Sequence, residues 1–141
     1  MNSSSNQQHE LSQRVEARKS DIHGLGVFAV AALPARRKLG ELNGNLVRLP
    51  QARHEVEGRE RIYLIELSRR LALDCSRGNE LRFLNHSCRP NCYLRVIRRT
   101  VEVYTLRAID VGTELTVDYG ETPHKGGMIC CCRLENCKRR L

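Results

Sequence analysis

No stretch of this chain reaches the roughly 18 consecutive apolar residues that a membrane helix needs, so no span is expected. No apolar leader core follows Met1, which argues against a secretory signal. Aromatic residues make up only 4% of the sequence, with no tryptophan. That scarcity, with no visible reader helix, argues against a module whose main work is reading nucleic-acid bases. No segment repeats. Acidic residues are few: 16 face 24 basic ones, of which 20 are arginine, for a net charge of +8. This balance fits an anionic partner such as nucleic acid or nucleoprotein, and equally a solvated basic face.

What is present fits one domain. At 141 residues the chain can bury roughly two thirds of its unfolded surface without staples. The first fifteen residues, MNSSSNQQHELSQRV, are polar, and residues 1–15 are expected to be a disordered lead-in. Short apolar runs then predict a mostly β fold with little helix. LGVFAVAAL reads as a strand, and KLGELNGNLVRL as strand, turn and strand. Residues 50–58 fit one short helix. IYLIEL and LALD flank a turn at Ser68–Arg70. CYLRVIRR and TVEVYTLRAI form a hairpin, with Val101, Val103 and Thr105 alternating against Glu102, Tyr104 and Leu106. ELTVDYG is a last strand.

Seven cysteines are an odd number, and four of them fall in the last dozen residues. Without a leader, a full disulfide set is not expected. Cys130, Cys132 and Cys137 have the spacing C-x-C-x4-C. A bridge between Cys130 and Cys132 would be strained, whereas a tetrahedral zinc tolerates such spacing. Surface thiols and disulfides stay open as alternatives. Cys75, Cys88 and Cys92 are candidates for a fourth ligand.

The segment RFLNHSCRPNCYL is the densest in polar chemistry. Asn85, His86, Ser87 and Cys88 follow the apolar pair Phe83–Leu84, and Pro90–Asn91 enforces a turn. It reads as a ligand-binding loop or as a turn with a satisfied core histidine. A Cys–His dyad is weak, because residues two apart in a turn rarely face each other. HGLG carries G-x-G at Gly24 and Gly26. It lacks the third glycine of a dinucleotide fingerprint and the Gly-Lys-Ser/Thr of a P-loop. Close approach to a ligand and a simple turn both fit it. Tyr119 could orient a substrate or cap a core.

Taken in order, HGLGVFA, GNELRFLNHSCRPNCYL, LRAIDVGTELTVDYGE and CCCRLENC resemble a SET domain, the family of S-adenosylmethionine-dependent protein-lysine methyltransferases. The resemblance runs from about Arg18 to Leu141 and implies short strands in several small sheets with a pseudoknot-like crossing. It implies a SET domain over 16–122 and a post-SET zinc-binding tail over 123–141. Tyr119 is then the catalytic tyrosine. His23, Gly24, Leu25, Gly26, Arg82, Asn85, His86, Tyr119 and Leu141 contact the methyl donor. Tyr63, Leu84 and Val117 line the substrate channel. Cys88, Cys130, Cys132 and Cys137 share one zinc ion. The crossing brings His86 and Tyr119 together.

Departures from the family pattern also bear on function. No pre-SET cysteine cluster is present, and the insert between Gly44 and Leu71 is short. Val117 stands where the family commonly has Phe or Tyr, which leaves room for di- or trimethylation. Arg133 replaces a common tail glycine, and Cys131 adds a fourth adjacent thiol. Glu41, Glu66, Asp74, Glu80 and Glu121 are candidate acidic rim residues for a basic peptide such as a histone tail. A catalytically silent SET-like module binding a basic peptide or nucleic acid is the alternative. The minimal build and arginine usage point to a prokaryotic, cytoplasmic protein; a eukaryotic source would place it at chromatin.

Overall fold

The computed structural model describes residues 3–56 and 64–118. The expectations for Tyr63, Tyr119, Glu121, Cys130, Cys132, Cys137 and Leu141, and the post-SET tail as a whole, fall outside the described residues. Among the described residues, ten strands form three small sheets, joined by two α-helices and one 3-10 helix.

The expectation of a disordered lead-in is corrected by the structure. Helix α1 spans Ser3–Ser12. One apolar residue anchors it: Leu11 is 2% exposed and belongs to the core. The Arg14 N–H donates to the Leu11 carbonyl at 2.9 Å, and Gln8 donates to both Glu80 carboxylate oxygens at 2.8 and 2.9 Å. A single anchoring leucine makes no periodic pattern, so the sequence hides the helix.

The first sheet has strand order β1-β2-β10-β7. Strand β1 spans Val15–Lys19, β2 Leu25–Ala29, β7 Asn85–His86 and β10 Glu114–Val117. The last strand read from ELTVDYG is β10. Strands β1 and β7 are not legible in the sequence. Only Val15 of β1 is buried, so its alternation is broken, and β7 is two residues long.

The second sheet has order β3-β9-β8. It joins β3 (Lys38–Glu41) to the hairpin of β8 (Cys92–Ile97) and β9 (Thr100–Thr105). The predicted hairpin is present, with Ile97 opposite Thr100. Val101, Val103 and Thr105 are each fully buried, as the pleat's period of two requires. Tyr93 and Tyr104 stack on the other face, with ring centroids 5.4 Å apart. The two-residue turn puts Arg98 at φ 56°, a left-handed conformation that hairpin turns usually give to Asn or Gly.

The third sheet has order β4-β6-β5. It comprises β4 (Asn45–Arg48), β6 (Leu71–Asp74) and β5 (Leu64–Glu66). Helix α2 covers Leu49–Val56, matching the short helix read from the sequence. The two strands read in KLGELNGNLVRL, β3 and β4, belong to different sheets. One core cluster draws on all three sheets. It holds Val27 and Leu115 from the first, Val101 and Val103 from the second, and Leu73 from the third. Leu81, 1% exposed in the 3-10 helix Glu80–Phe83, seals the cluster. Burying a leucine of this kind stabilises by about 2 kcal/mol.

Candidate functional site

Asn85 and His86 are 2% and 4% exposed, yet both are polar. A buried polar group must find partners. The fold supplies them by laying β7 parallel to β10, with Thr116 opposite Asn85 and Val117 opposite His86. The chain leaves β7, runs through the β8–β9 hairpin and returns as β10 beside its own start. The Ser87 N–H donates to the Val117 carbonyl at 3.0 Å. Asn91 closes the loop from the other end. Its Nδ2 donates to the Glu114 carbonyl at 2.8 Å, and its Oδ1 accepts from the Thr116 N–H at 2.8 Å. The polar segment is therefore stitched to β10 at both ends.

Asn85 makes the longest reach. Its Nδ2 donates at 3.0 Å to three oxygens: the carbonyls of His23 and Leu25 and Oε2 of Glu114. Three acceptors around one nitrogen fix the amide orientation, because a flipped amide would turn its own oxygen onto all three. Its Oδ1 accepts no hydrogen bond from any described residue, although the side chain is buried. An acceptor left unmade in such a place costs about 1–3 kcal/mol. A ligand with an N–H donor would satisfy it.

The G-x-G segment is shaped by the same network. Gly24 takes φ 47°, a left-handed conformation suited to glycine, and its carbonyl accepts from the Ser20 N–H at 2.7 Å. A Cβ on Gly26 would lie 2.3 Å from Glu114 Oε2, so glycine is required for the carboxylate to sit there. Leu25, between them, is 42% exposed.

His86 lies between two groups. Its Nε2 is 3.4 Å from Cys88 Sγ, and its Nδ1 is 3.6 Å from Asp118 Oδ1. Cys88 and His86 thus do face each other, against the expectation from their spacing. The short strand ends at His86, and the bend after it brings the thiol back. Cys88 is partly exposed, whereas Cys75 and Cys92 are 2% and 0% exposed. Burial pushes both of those thiols up to about 12. They behave as small apolar core residues, not as metal ligands.

The remaining expectations divide. Leu84 and Val117 are both buried in the core cluster, and Val117 sits beside His86. The Arg82 guanidinium donates to the Gly78 carbonyl and lies 4.2 Å over the Phe83 ring. Among the described residues, no hydrogen bond joins it to Asn85, His86 or the G-x-G segment. The proposed acidic rim is dispersed. Glu41 is held by Lys38 at 2.9 Å, Asp74 accepts from Ser76, and Glu80 is bonded to Gln8. Lys38 also meets Glu102 at 2.8 Å, and these two hydrogen-bonded carboxylates raise its pKa. Glu66 stands with Leu49, Pro50, Leu67, Ser68 and Arg69 around a cavity of about 600 Å³ in the third sheet's neighbourhood. Sequence reasoning missed Glu114. Its signal was present in ELTVDYG, but nothing local marks an acidic residue that bonds a serine 94 positions away. Among the described residues, no group of three or more His, Cys, Asp or Glu forms a metal-binding cluster. No described helix is long and apolar enough to cross a membrane.

Comparison with known proteins agrees with this geometry. The profile of the family described as SET domain matches residues 24–120. Histone-lysine N-methyltransferase MEDEA of Arabidopsis thaliana is 38% identical over 118 residues, covering 78% of this chain and 17% of the relative. Histone-lysine N-methyltransferase SETD1B of Homo sapiens is 33% identical over 133 residues, covering 87% of this chain and 7% of the relative. Histone-lysine N-methyltransferase set1 of Dictyostelium discoideum is 30% identical over 139 residues, covering 92% and 9%. The chain thus spans less than a fifth of the length of these curated relatives. All three are eukaryotic and lend no support to a prokaryotic source.

Proposed function

Because this chain belongs to the SET-domain family, we propose that it is a protein-lysine N-methyltransferase using S-adenosylmethionine. The observation that carries this reading is the buried Asn85 amide, which holds the carbonyls of His23 and Leu25 and leaves its own Oδ1 for a ligand N–H. The donor's amino group is such a ligand. When bound, S-adenosylmethionine supplies an electrophilic methyl group on a sulfonium.

The chain's part is to bind and to aim. Gly24, Leu25 and Gly26 offer backbone, and Asn85 and His86 offer a rigid polar floor. His23, Arg82 and Leu141 are the further donor contacts in this reading. Tyr119 is the group that orients the lysine amine. Its support is its position two residues beyond Val117, which pairs with His86. The amine must be neutral to react. Bringing a lysine from its usual pKa near 10.4 down to 7 costs about 4.6 kcal/mol. Apolar walls from Leu84, Val117 and Tyr63, with the donor's positive charge, favour that neutral form. Rate enhancement then comes from positioning and electrostatics.

Zinc belongs to the same reading. Cys88, Cys130, Cys132 and Cys137 would hold one ion and tether the tail beside His86. The fit rests on Cys88 being the partly exposed member of the three described cysteines. Such a tail folds with its metal. The substrate is a protein with an exposed lysine, histone being the class named for the relatives. A chromatin location follows from that substrate. The small Val117 side chain admits di- or trimethyl products. Exposed Arg95, Arg98 and Arg99 on the hairpin are available to nucleic acid.

The test is transfer of labelled methyl from S-adenosylmethionine to histone-tail peptides. Label on lysine, lost in Tyr119→Phe with donor binding intact, is the expected result. Donor binding without transfer to any histone or lysate protein rejects the enzymatic reading in favour of a silent module. A product that stops at one methyl under excess donor rejects the Val117 argument. Less than one zinc per chain in the purified protein rejects the metal site.

A further inference from the structure

We infer that Glu114 is a positioning residue for the methyl donor, acting through Asn85 and the G-x-G segment. This inference rests on the donor-binding reading above. Glu114 does not touch the donor in this scheme; it sets two groups that do.

The carboxylate is the meeting point of three distant pieces of chain. Ser20 Oγ lies 2.8 Å from both of its oxygens. Asn85 Nδ2 donates to its Oε2 at 3.0 Å. Gly26 approaches so closely that a Cβ there would lie 2.3 Å from Oε2 and would force the carboxylate to shift. The Ser20 oxygen also accepts from the Ile22 N–H at 2.9 Å, which tightens the turn leading into Gly24. The segment from Ser20 to Gly26 is thus gripped at one end by serine on the carboxylate. At the other end asparagine holds the His23 and Leu25 carbonyls. Glu114 itself is fixed by β10, where it pairs with Phe28 of β2.

Chemistry decides what this grip is for. The apolar core needs none of it, since Val27 and Leu115 pair in the same register and are fully buried. A carboxylate brought under a glycine turn is costly unless hydrogen-bonded, and here Ser20 and Asn85 supply the bonds. Among the described residues, no Lys, Arg or His forms an ion pair with it. Its service is to the amide. As an anion, it is the strongest of the three acceptors around Asn85 Nδ2. It therefore does most to keep Oδ1 turned away from the carbonyls and available to a ligand. Without it, the amide loses a charge-assisted bond and the turn loses its anchor at Ser20. The donor would then meet an unformed floor.

The experiment pairs Glu114→Ala with Glu114→Gln in the full, zinc-loaded chain. Glutamine keeps an oxygen for Asn85 and can donate to Ser20, so it preserves the geometry while removing the charge. Two readouts are taken. Calorimetric binding of S-adenosylmethionine is expected to weaken at least 10-fold in Glu114→Ala and no more than about 3-fold in Glu114→Gln. At saturating donor, kcat and the peptide KM should stay within about 3-fold in both. Independently of any donor, NMR of the Asn85 side-chain amide protons should show slow solvent exchange in the wild type and in Glu114→Gln. Exchange should be at least 10-fold faster in Glu114→Ala. Should Glu114→Ala fail to fold, Ser20→Ala carries the same comparison, with an expected 3-fold to 10-fold loss of donor affinity. Wild-type-like donor binding in the alanine variant, or a loss confined to kcat, overturns the inference. A wild type that binds no donor defeats the functional reading instead, and the amide-exchange measurement then still decides whether the clamp exists.

Discussion

The stitched segment at β7–β10 and the β8–β9 hairpin sit next to each other in the chain but are held by different physics. The hairpin is local and apolar. Val101, Val103 and Thr105 point inward by simple alternation, and its register follows from a two-residue turn. The stitched segment is non-local and polar. Asn85, Ser87 and Asn91 bond to β10 and to the G-x-G turn across 23 to 62 positions. A hairpin of this kind can absorb volume changes gradually. A polar crossing cannot, because removing one partner leaves others buried and unpaired. The proposed donor site is built on the polar crossing, whose bonds join distant segments, and not on the hairpin.

The sharpest way to break this contrast is at Asn91. Asn91→Ala strands the Glu114 carbonyl and the Thr116 N–H, and a loss of about 3 kcal/mol in urea unfolding is expected. Donor affinity should fall with it. Asn91→Asp keeps the acceptor for Thr116 and should lose about half as much. If Asn91→Ala costs under 1 kcal/mol, the crossing is not held by these bonds. Next comes Val103→Ala in the hairpin sheet. It removes two buried methyl groups, for an expected loss of about 2 kcal/mol. Here donor affinity should hold, since Val103 is a fully buried member of the core cluster, paired with Gly40 and Leu94 and not with the β7–β10 crossing. A parallel fall in donor affinity would erase the distinction between the regions.

A chemical probe sharpens the comparison further. At pH 8 a thiol with a pKa near 12 is thiolate in about one part in ten thousand. Cys75 and Cys92 should therefore resist maleimide in the folded protein and react only on unfolding. Cys88, partly exposed, should react in the metal-free protein. Labelling of Cys92 as fast as Cys88, read by peptide mass, would contradict the burial described for the hairpin's first residue. The smallest effect is expected at the turn. Arg98→Gly relieves a left-handed arginine and should stabilise by about 1 kcal/mol, with no change in donor binding. A destabilised variant would mean that Arg98 makes compensating contacts.

Much of this was legible in advance where one short window carries the signal. The β9 alternation, the short helix α2 and the polar cluster around Asn85 and His86 each fit within about ten residues. Helix α1 escaped notice because a single leucine, Leu11, docks an otherwise polar segment. Strand β7 escaped because two residues have no period. Glu114 escaped because its partners, Ser20 and Asn85, are 94 and 29 positions away.

By itself, the sequence determined residue chemistry at close range: which strands bury alternate side chains, where glycine permits a turn, and that Asn85 and His86 stand together. Only the tertiary structure decided which oxygens the Asn85 amide would hold, that a glutamate would sit beneath Gly26, and that two of three internal cysteines would be walled into the core. The physical reason is range. Alternation and turn preference act between neighbours, whereas a buried hydrogen bond is fixed only when distant segments have already been brought into register by the packing of the sheets.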